Sequence, residues 1–249
     1  MEKILICKKP NENMKFELTP KEKIKNLVLP KEITPELAYF CGILAGDGSI
    51  RFQEIKKQYE IRCVGNPKDE KEFYDIIIKD LIKKLFNLNI KTKLFDKGRT
   101  YGFNICSKNL VRYLTEFIGL PLGKKYDKLK IPDIFLDNKE LINHFIKGVA
   151  DTDFHLAVRK GYYPVISGAS KSRSFMEEIK EFLESEGFKV CIYERRDDDK
   201  RVNKIVITHR IELSGYKQFS MWMQKIGFNH PKNKEKITLL LSLTDKYVK

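Results

Sequence analysis

Two short stretches decide how this chain folds: FCGILAGDG at Phe40–Gly48 and IKGVADTDF at Ile146–Phe154. Each is an apolar run with a glycine inside it, and each has an aspartate near its end. The glycines, Gly42 and Gly148, lie 106 residues apart, and the aspartates show the same spacing. Matched spacing of unlike residues indicates that one structural unit occurs twice in the chain.

The sequence around these stretches supports the duplication. Ser107 and Ser214 lie 107 residues apart, and the Ile-Gly pairs that begin at Ile118 and Ile226 lie 108 residues apart. The periodicity predicts the order helix, strand, strand, helix, strand, strand, helix in each copy. We therefore expect an α+β fold of two αββαββα halves related by a pseudo-twofold axis. The predicted parts are an N-terminal basic arm (1–33), a first half (34–119), a linker (120–137) and a second half (138–249).

The apolar runs predict two buried helices that pack against each other. Thr34 and Pro35 are a typical N-cap and first helical residue. A glycine inside a helix costs about 1 kcal/mol relative to alanine, which close packing of two backbones at Gly42 and Gly148 would offset. Asp47 and Asp153 would then meet at the pseudo-axis. Since two carboxylates repel unless a hard cation lies between them, they are candidate ligands for Mg²⁺, with a turn or cap role as the alternative.

Composition limits the classes of function. The 249 residues include 48 Lys and Arg against 34 Asp and Glu, a net charge of +14, and 42% are hydrophobic. This composition indicates a folded basic protein with a polyanionic partner, most often nucleic acid. We see no membrane-spanning run and no secretion signal, and we expect a cytoplasmic protein. The cysteines form no CxxC pair, which favours reduced thiols over a zinc site or disulfides; they are Cys7, Cys41, Cys63, Cys106 and Cys191.

The two stretches resemble the paired motifs of single-chain LAGLIDADG homing endonucleases. The resemblance implies that the motif helices form an interface, that Asp47 and Asp153 hold divalent metal, and that two antiparallel sheets form a saddle on duplex DNA. It further implies a monomer that hydrolyses both strands at a long site using two or three Mg²⁺ ions, with Mn²⁺ as a substitute. Asp151 occupies the inner acid position of the second motif, where the first has Ala45. We interpret Asp151 as a helix-end group.

The second motif departs from the family pattern after its last acid. Phe154 replaces the usual glycine and could narrow the pocket, make the two cuts unequal or pack away from it. His155 could relay protons, although a surface strand residue is the favoured interpretation. The family places a lysine at the end of the second strand of each half. By aligning VGNPK with SGASK, we assign this catalytic role to Lys171 and, with a one-residue slip caused by Pro67, to Lys68, with Asn66 as a residue that could orient water.

Basic and polar residues at alternating strand positions are candidates for DNA contact. The run ERRDDDKR at 194–201 is expected to be a hairpin tip. The candidates in the first half are Arg51, Gln53, Arg62, Lys91, Lys93, Arg99 and Asn104, and those in the second half are Arg159, Lys189, Arg195, Arg196, Lys204, His209 and Arg210.

The sequence thus favours a site-specific, Mg²⁺-dependent endonuclease acting on double-stranded DNA, associated with intron homing. The alternative is a non-cutting or weakly cutting nucleic-acid binder on the same fold, such as a maturase that binds intron RNA or a DNA-binding regulator. A generic ribosome- or tRNA-associated protein would explain the charge but not the duplicated helix and acid pattern.

Overall fold

The computed structural model describes residues 15–125, 128–199 and 204–247. Over these ranges the chain forms eight α-helices and two sheets, which confirms the predicted α+β class. None of these helices is long and apolar enough to cross a membrane. The helices are α1 (Pro20–Ile24), α2 (Pro35–Gly46), α3 (Lys79–Phe86, preceded by a π-helical turn at Phe73–Ile78), α4 (Lys108–Arg112), α5 (Lys139–Asp153), α6 (Arg173–Ser185), α7 (Tyr216–Lys225) and α8 (Lys234–Tyr247).

Each half contains one antiparallel sheet of four strands. Sheet A has the order β1-β2-β4-β3 and sheet B the order β5-β6-β8-β7, so the two halves share one topology. The strands are β1 (Gly48–Gln53), β2 (Gln58–Gly65), β3 (Lys93–Phe95), β4 (Thr100–Cys106), β5 (Phe154–Arg159), β6 (Tyr163–Ser170), β7 (Cys191–Asp199) and β8 (Lys204–Ser214).

Helices α2 and α5 pack together where the two halves meet, which we call the seam. A Cβ atom added at Gly42 would lie 2.0 Å from the backbone oxygen of Phe145, and one added at Gly148 would lie 2.1 Å from that of Tyr39. The two backbones are therefore in direct contact, and only glycine fits at these positions. The start of α2 has the predicted cap, since the Thr34 side chain accepts a hydrogen bond from Leu37 N.

Three elements differ from the sequence prediction. β3 begins at Lys93 and not at Ile90, because Ile90 packs against the core instead of pairing with β4. β7 continues to Asp199, so most of the predicted hairpin tip is strand; the last two residues of that run, 200 and 201, lie outside the described residues. Charged side chains can continue a strand into solvent while the backbone ladder persists. Helix α8 was not predicted, and it buries Leu240.

The chain from residue 15 to 33, which we call the N-terminal segment, is docked on the first half. The buried Glu22 carboxylate accepts hydrogen bonds from Thr19, from Ser107 Oγ at 2.5 Å and from Asn109 Nδ2 at 2.7 Å. Burial tends to raise the pKa of Glu22, but these hydrogen bonds outweigh it and lower the pKa to about 2. The carboxylate therefore fixes the N-terminal segment to the start of α4.

Candidate active site at the seam

The two motif aspartates lie at the ends of the seam helices. Asp47 is the C-cap residue of α2, and Asp153 is the last residue of α5. A Cβ atom added at Gly46 would lie only 3.2 Å from Oδ2 of Asp153. Packing of α2 on α5 thus brings one carboxylate from each half to the same place.

Burial, and for Asp153 also the negative charge of Asp47, makes this pair of carboxylates easier to protonate than ordinary aspartates. Burial raises the pKa of Asp47. Burial, followed by the negative charge of Asp47, raises the pKa of Asp153 to about 7. An added positive charge at this place would therefore be stabilised by both side chains.

Two lysines, Lys125 and Lys232, supply positive charge to the pair. Each opposes the rise in the pKa of Asp47 and of Asp153. Lys125 Nζ donates to the backbone oxygens of Ala45 at 2.9 Å and Gly46 at 2.6 Å, at the end of α2. Burial lowers the pKa of Lys125, while the charges of Asp153 and Asp47 oppose that change. This lysine is held where a helix end and two carboxylates all favour a cation.

Lys232 occupies the corresponding position in the second half. Its Nζ donates to the backbone oxygen of Asp151 at 3.2 Å, and Asp151 is the counterpart of Ala45. Neither lysine was predicted, because Lys125 lies in the segment interpreted as a linker and Lys232 lies after the last predicted helix. The repeat could have identified them, because Lys125 follows Gly119 by six residues and Lys232 follows Gly227 by five.

The predicted lysines, Lys68 and Lys171, are exposed at the turns after β2 and β6. Strand pairing shows that they are not equivalent. β2 ends at Gly65 and β6 ends at Ser170, and each terminal residue pairs with the third strand of its sheet. Lys171 therefore corresponds to Asn66, and the alignment of Lys68 with Lys171 is wrong by two residues. The shared Gly-x-x-Lys pattern misled the alignment.

A cavity of about 790 Å³ is lined by residues of both halves, which include Asn66, Glu70, His155 and Lys232. Glu70 is a third acid that the sequence analysis missed, because it resembled an ordinary first-turn residue of a helix. Burial, followed by the charge of Asp47, raises the pKa of Glu70 to about 7. Burial and then nearby cations lower the pKa of His155, which favours a neutral imidazole at neutral pH.

Asp151 is wholly buried and binds protein groups across the seam. Its carboxylate accepts a hydrogen bond from the Tyr39 hydroxyl at 2.6 Å and from the backbone N–H groups of Asn229 and His230 at 3.1 and 3.0 Å. The His230 ring in turn stacks on Phe73 of the first half at 4.3 Å. Asp151 thereby fixes the loop that carries Lys232, in keeping with a structural interpretation of this acid.

Phe154 packs into the core of the second half. Its side chain is 2% exposed and stacks on Trp222 with ring centroids 6.0 Å apart. A Cβ atom added at Gly168, its pairing partner, would lie 2.0 Å from the Phe154 ring. The ring therefore fills the space above Gly168 on the core side of sheet B.

In sheet A, predicted DNA-contact residues share the face opposite the helices. Arg51 and Asn104 both bind Glu60, as does Gln53, while Arg62 binds Asp96 at 2.6 Å. Alternation along β1, β2 and β4 places these side chains on one side. Lys93 begins β3, while Lys91 and Arg99 lie just outside the strands.

In sheet B, the alternation separates residues that were predicted together. Arg195 pairs with Thr208 and shares a face with Arg210, whereas the adjacent Arg196 lies at a register position on the opposite face. Arg159 shares the face of Arg210 and forms an ion pair with Glu212 at 2.8 Å. Lys189 precedes β7, and His209 lies in β8 between Thr208 and Arg210. Lys204 is the first residue of β8, but its side chain is not among those that the structure describes.

The residues at the seam fit a hard divalent cation. Two buried carboxylates with raised pKa values, beside backbone carbonyl groups, form an all-oxygen donor set of the kind that Mg²⁺ prefers. No cluster of three or more His, Cys, Asp or Glu side chains that could hold a metal occurs in the described ranges. The remaining ligands would therefore have to come from water or from a bound phosphate.

Comparisons with known proteins agree with this architecture. Residues 140–218 match the family model of the LAGLIDADG-like domain. The fold is similar to that of the homing endonuclease I-DmoI in complex with DNA and Ca, with a TM-score of 0.56 and 16% identity over 82% of this chain and 97% of that chain. A complex of I-DmoI with DNA and Mn gives a TM-score of 0.53 and 17% identity over 78% and 96%. The resemblance is confirmed: the chain has the single-chain LAGLIDADG homing endonuclease fold, with a LAGLIDADG-like domain at 140–218.

Curated relatives match this chain over only part of their own length. They are the glutamine–fructose-6-phosphate aminotransferase of Methanocaldococcus jannaschii (25% identical over 86% of this chain), the DNA polymerase of Thermococcus hydrothermalis (24% over 87%) and the probable translation initiation factor IF-2 of M. jannaschii (27% over 88%). The chain spans 18%, 12% and 17% of these proteins, respectively.

Proposed function

We propose that this chain is a site-specific endonuclease that cuts both strands of duplex DNA with the help of a divalent metal ion. The observation that carries the proposal is the meeting of Asp47 and Asp153 at the seam, with Lys125 and Lys232 beside them. Phosphodiester hydrolysis needs a positioned water, an in-line path to phosphorus and positive charge near the developing negative oxygens. The seam supplies the charges for this chemistry from both halves of the molecule.

Asp47 and Asp153 would hold Mg²⁺, and Mn²⁺ could replace it. When bound, the ion supplies Lewis-acid charge to a phosphate oxygen and favours deprotonation of water. The two carboxylates would repel a phosphodiester by themselves, so their role would be to hold the ion at the seam, where its charge could attract the phosphate. Two or three ions would match the two strands that have to be cut.

Lys125 and Lys232 are proposed to stabilise negative charge on the reacting phosphates, one lysine for each strand. Their hydrogen bonds to backbone oxygens fix each ammonium group near the helix ends before DNA arrives. Such preorganised charges need little rearrangement during the reaction. We keep Lys68 and Lys171 as secondary candidates for water positioning, since both belong to exposed turns that a bound duplex could reach.

The basic face of the two sheets is proposed to bind the DNA. Arg51 and Arg62 of sheet A, and Arg159 and Arg210 of sheet B, lie at face positions suited to base edges or phosphates. The I-DmoI complexes that share this fold contain DNA, which supports duplex DNA as the partner. We propose that the protein acts as a monomer, because one chain provides both halves.

The curated relatives support a mobile origin for the chain. An aminotransferase, a DNA polymerase and a translation factor have no common chemistry, yet each is similar to this chain over a small fraction of its length. We infer that the common part is a transferable unit with an activity of its own. A site-specific nuclease is such an activity.

Selection from a plasmid library that includes the DNA flanking the gene's insertion point would identify the cut sequence. We expect Mg²⁺-dependent linearisation by the native chain, loss of cutting in Asp47→Asn and Asp153→Asn, and retained DNA binding in both. Asp80→Asn, an exposed aspartate on α3, is the matched control and should cut normally. Normal cutting by either seam variant would refute the assignment.

The alternative, a maturase or regulator that binds without cutting, predicts tight salt-dependent binding with no cleavage of either strand. A Phe154 side chain that narrowed the pocket would have favoured this alternative. Because this side chain is buried against Trp222, it gives the alternative no support.

A further inference from the structure

A second concave surface lies between the N-terminal segment and the free edge of β4, and none of the seam residues lines it. β3 pairs only with Thr100–Gly102, so the rest of β4 has no neighbouring strand on that side among the described residues. The resulting groove has a volume of about 980 Å³. Its lining includes five lysines: Lys21, Lys25, Lys57, Lys91 and Lys108.

The groove carries a strong positive charge. Its only lining acid is Glu22, whose carboxylate is buried and already accepts hydrogen bonds from Thr19, Ser107 and Asn109. Glu22 therefore anchors the N-terminal segment and is not turned toward a ligand. The exposed lysines on the rim are suited to a polyanion and unsuited to a small apolar ligand.

The groove is continuous with the DNA-facing side of sheet A. Asn104 and Cys106 line the groove, and Cys106 pairs with Glu60, the residue that binds Arg51 on that face. Burial raises the pKa of Cys106, while the charges of Lys25 and other lysines oppose that rise. Lys25 of the N-terminal segment therefore acts on the same face as β2 and β4.

The N-terminal segment holds its lysines in fixed positions. Val28 N donates to Phe86 O at 3.0 Å, Asn87 Nδ2 donates to Asn26 O at 3.1 Å, and Leu27 is buried. A docked backbone loses less conformational freedom on binding than a loose arm does.

We propose that this groove binds the phosphate backbone of the DNA duplex just outside the part covered by sheet A, with Lys21 and Lys25 as phosphate contacts. The inference rests on the proposed DNA binding and extends it. It implies that the protein covers more DNA on the side of its first half than on the side of its second half.

The test compares Lys21→Ala/Lys25→Ala with Lys79→Ala/Lys217→Ala, which removes two exposed helical lysines elsewhere. Binding to a labelled duplex of arbitrary sequence is measured across a range of salt concentrations. Each lost phosphate contact lowers the slope of log K against log salt by about 0.9, so the groove variant should lose about 1.8 and the control much less. Lys21→Arg/Lys25→Arg should retain the slope, because arginine keeps both positive charges.

Equal slopes for the groove variant and the control would overturn the proposal. A decrease in slope that occurred only with an RNA duplex of the same length would also overturn it. If the native chain did not bind duplex DNA at all, the proposed function itself would fail. On the selected target, hydroxyl-radical protection should shorten at one end only in the groove variant; an unchanged boundary would contradict the asymmetry.

Discussion

Removing one hydroxyl group at the seam should destabilise the whole molecule. The Tyr39 hydroxyl donates to the wholly buried Asp151 carboxylate at 2.6 Å. In Tyr39→Phe the carboxylate keeps the N–H groups of Asn229 and His230 but loses its side-chain donor from the first half. A hydrogen bond to a charged group contributes about 1.5–3 kcal/mol, so we expect a loss of that size in the free energy of unfolding.

The chain offers a matched control in Tyr113. Its hydroxyl is also buried in the first half, but it has no hydrogen-bond partner in the described structure. Tyr113→Phe should therefore change stability by less than about 0.5 kcal/mol, or increase it, because it removes an unsatisfied polar group. The two variants differ only in whether the deleted hydroxyl had a partner.

Urea unfolding followed by the fluorescence of Trp222, the single tryptophan, measures both variants. For a chain of this size, a loss of 1.5–3 kcal/mol corresponds to a decrease in Tm of about 3–12 °C. The m-value should stay unchanged, since neither substitution alters the surface exposed on unfolding. Equal stability losses in the two variants would refute the role assigned to the Tyr39–Asp151 hydrogen bond.

Three further substitutions test other parts of the structure. Gly148→Ala places a methyl group about 2.1 Å from the Tyr39 backbone oxygen. Urea unfolding should show that the free energy of unfolding falls by about 1–3 kcal/mol or more, although alanine favours helix more than glycine does. A gain in stability would contradict backbone contact at the seam. Glu22→Gln should remove at most about 3 kcal/mol at pH 7, since the folded pKa lies near 2 and the unfolded value near 4.5. This contribution is present above about pH 4.5 and is lost as the pH falls toward 2, so the stability gap to the native chain should narrow at pH 3. Lys125→Met should slow Mg²⁺-dependent cleavage by about a hundredfold with little change in DNA affinity, and cleavage at the native rate would exclude a catalytic role.

The duplicated pattern was sufficient to predict the sheets, the seam helices and the placement of the two final acids. Apolar periodicity and caps such as Thr34 depend on local structure alone, so they can be recognised in the sequence. The repeat adds a check, because an element predicted in one half should occur at the equivalent position of the other. Strand ends were less predictable. Ile90 looked like a strand residue because it is apolar, but it packs against the core and does not pair with β4.

The remaining parts of the site depend on contacts between distant segments. Lys125 comes from a connecting loop and Lys232 from a single 3-10 turn, so neither belongs to a periodic pattern, and only tertiary packing brings them to the seam. Glu70 becomes unusual because it is buried near Asp47, a property that its helical neighbours do not reveal. The Lys68 and Lys171 alignment failed because a local motif was given more weight than the strand register.

The Tyr39–Asp151 contact limits how the halves can be recombined. In this chain the first half supplies the hydroxyl and the second supplies the acid, whereas Ala45 occupies the reciprocal position. A chimaera that joined this second half to a foreign first half without the tyrosine would enclose an acid lacking that donor. Successful grafts should therefore transfer the hydroxyl together with the acid, or replace both by apolar residues.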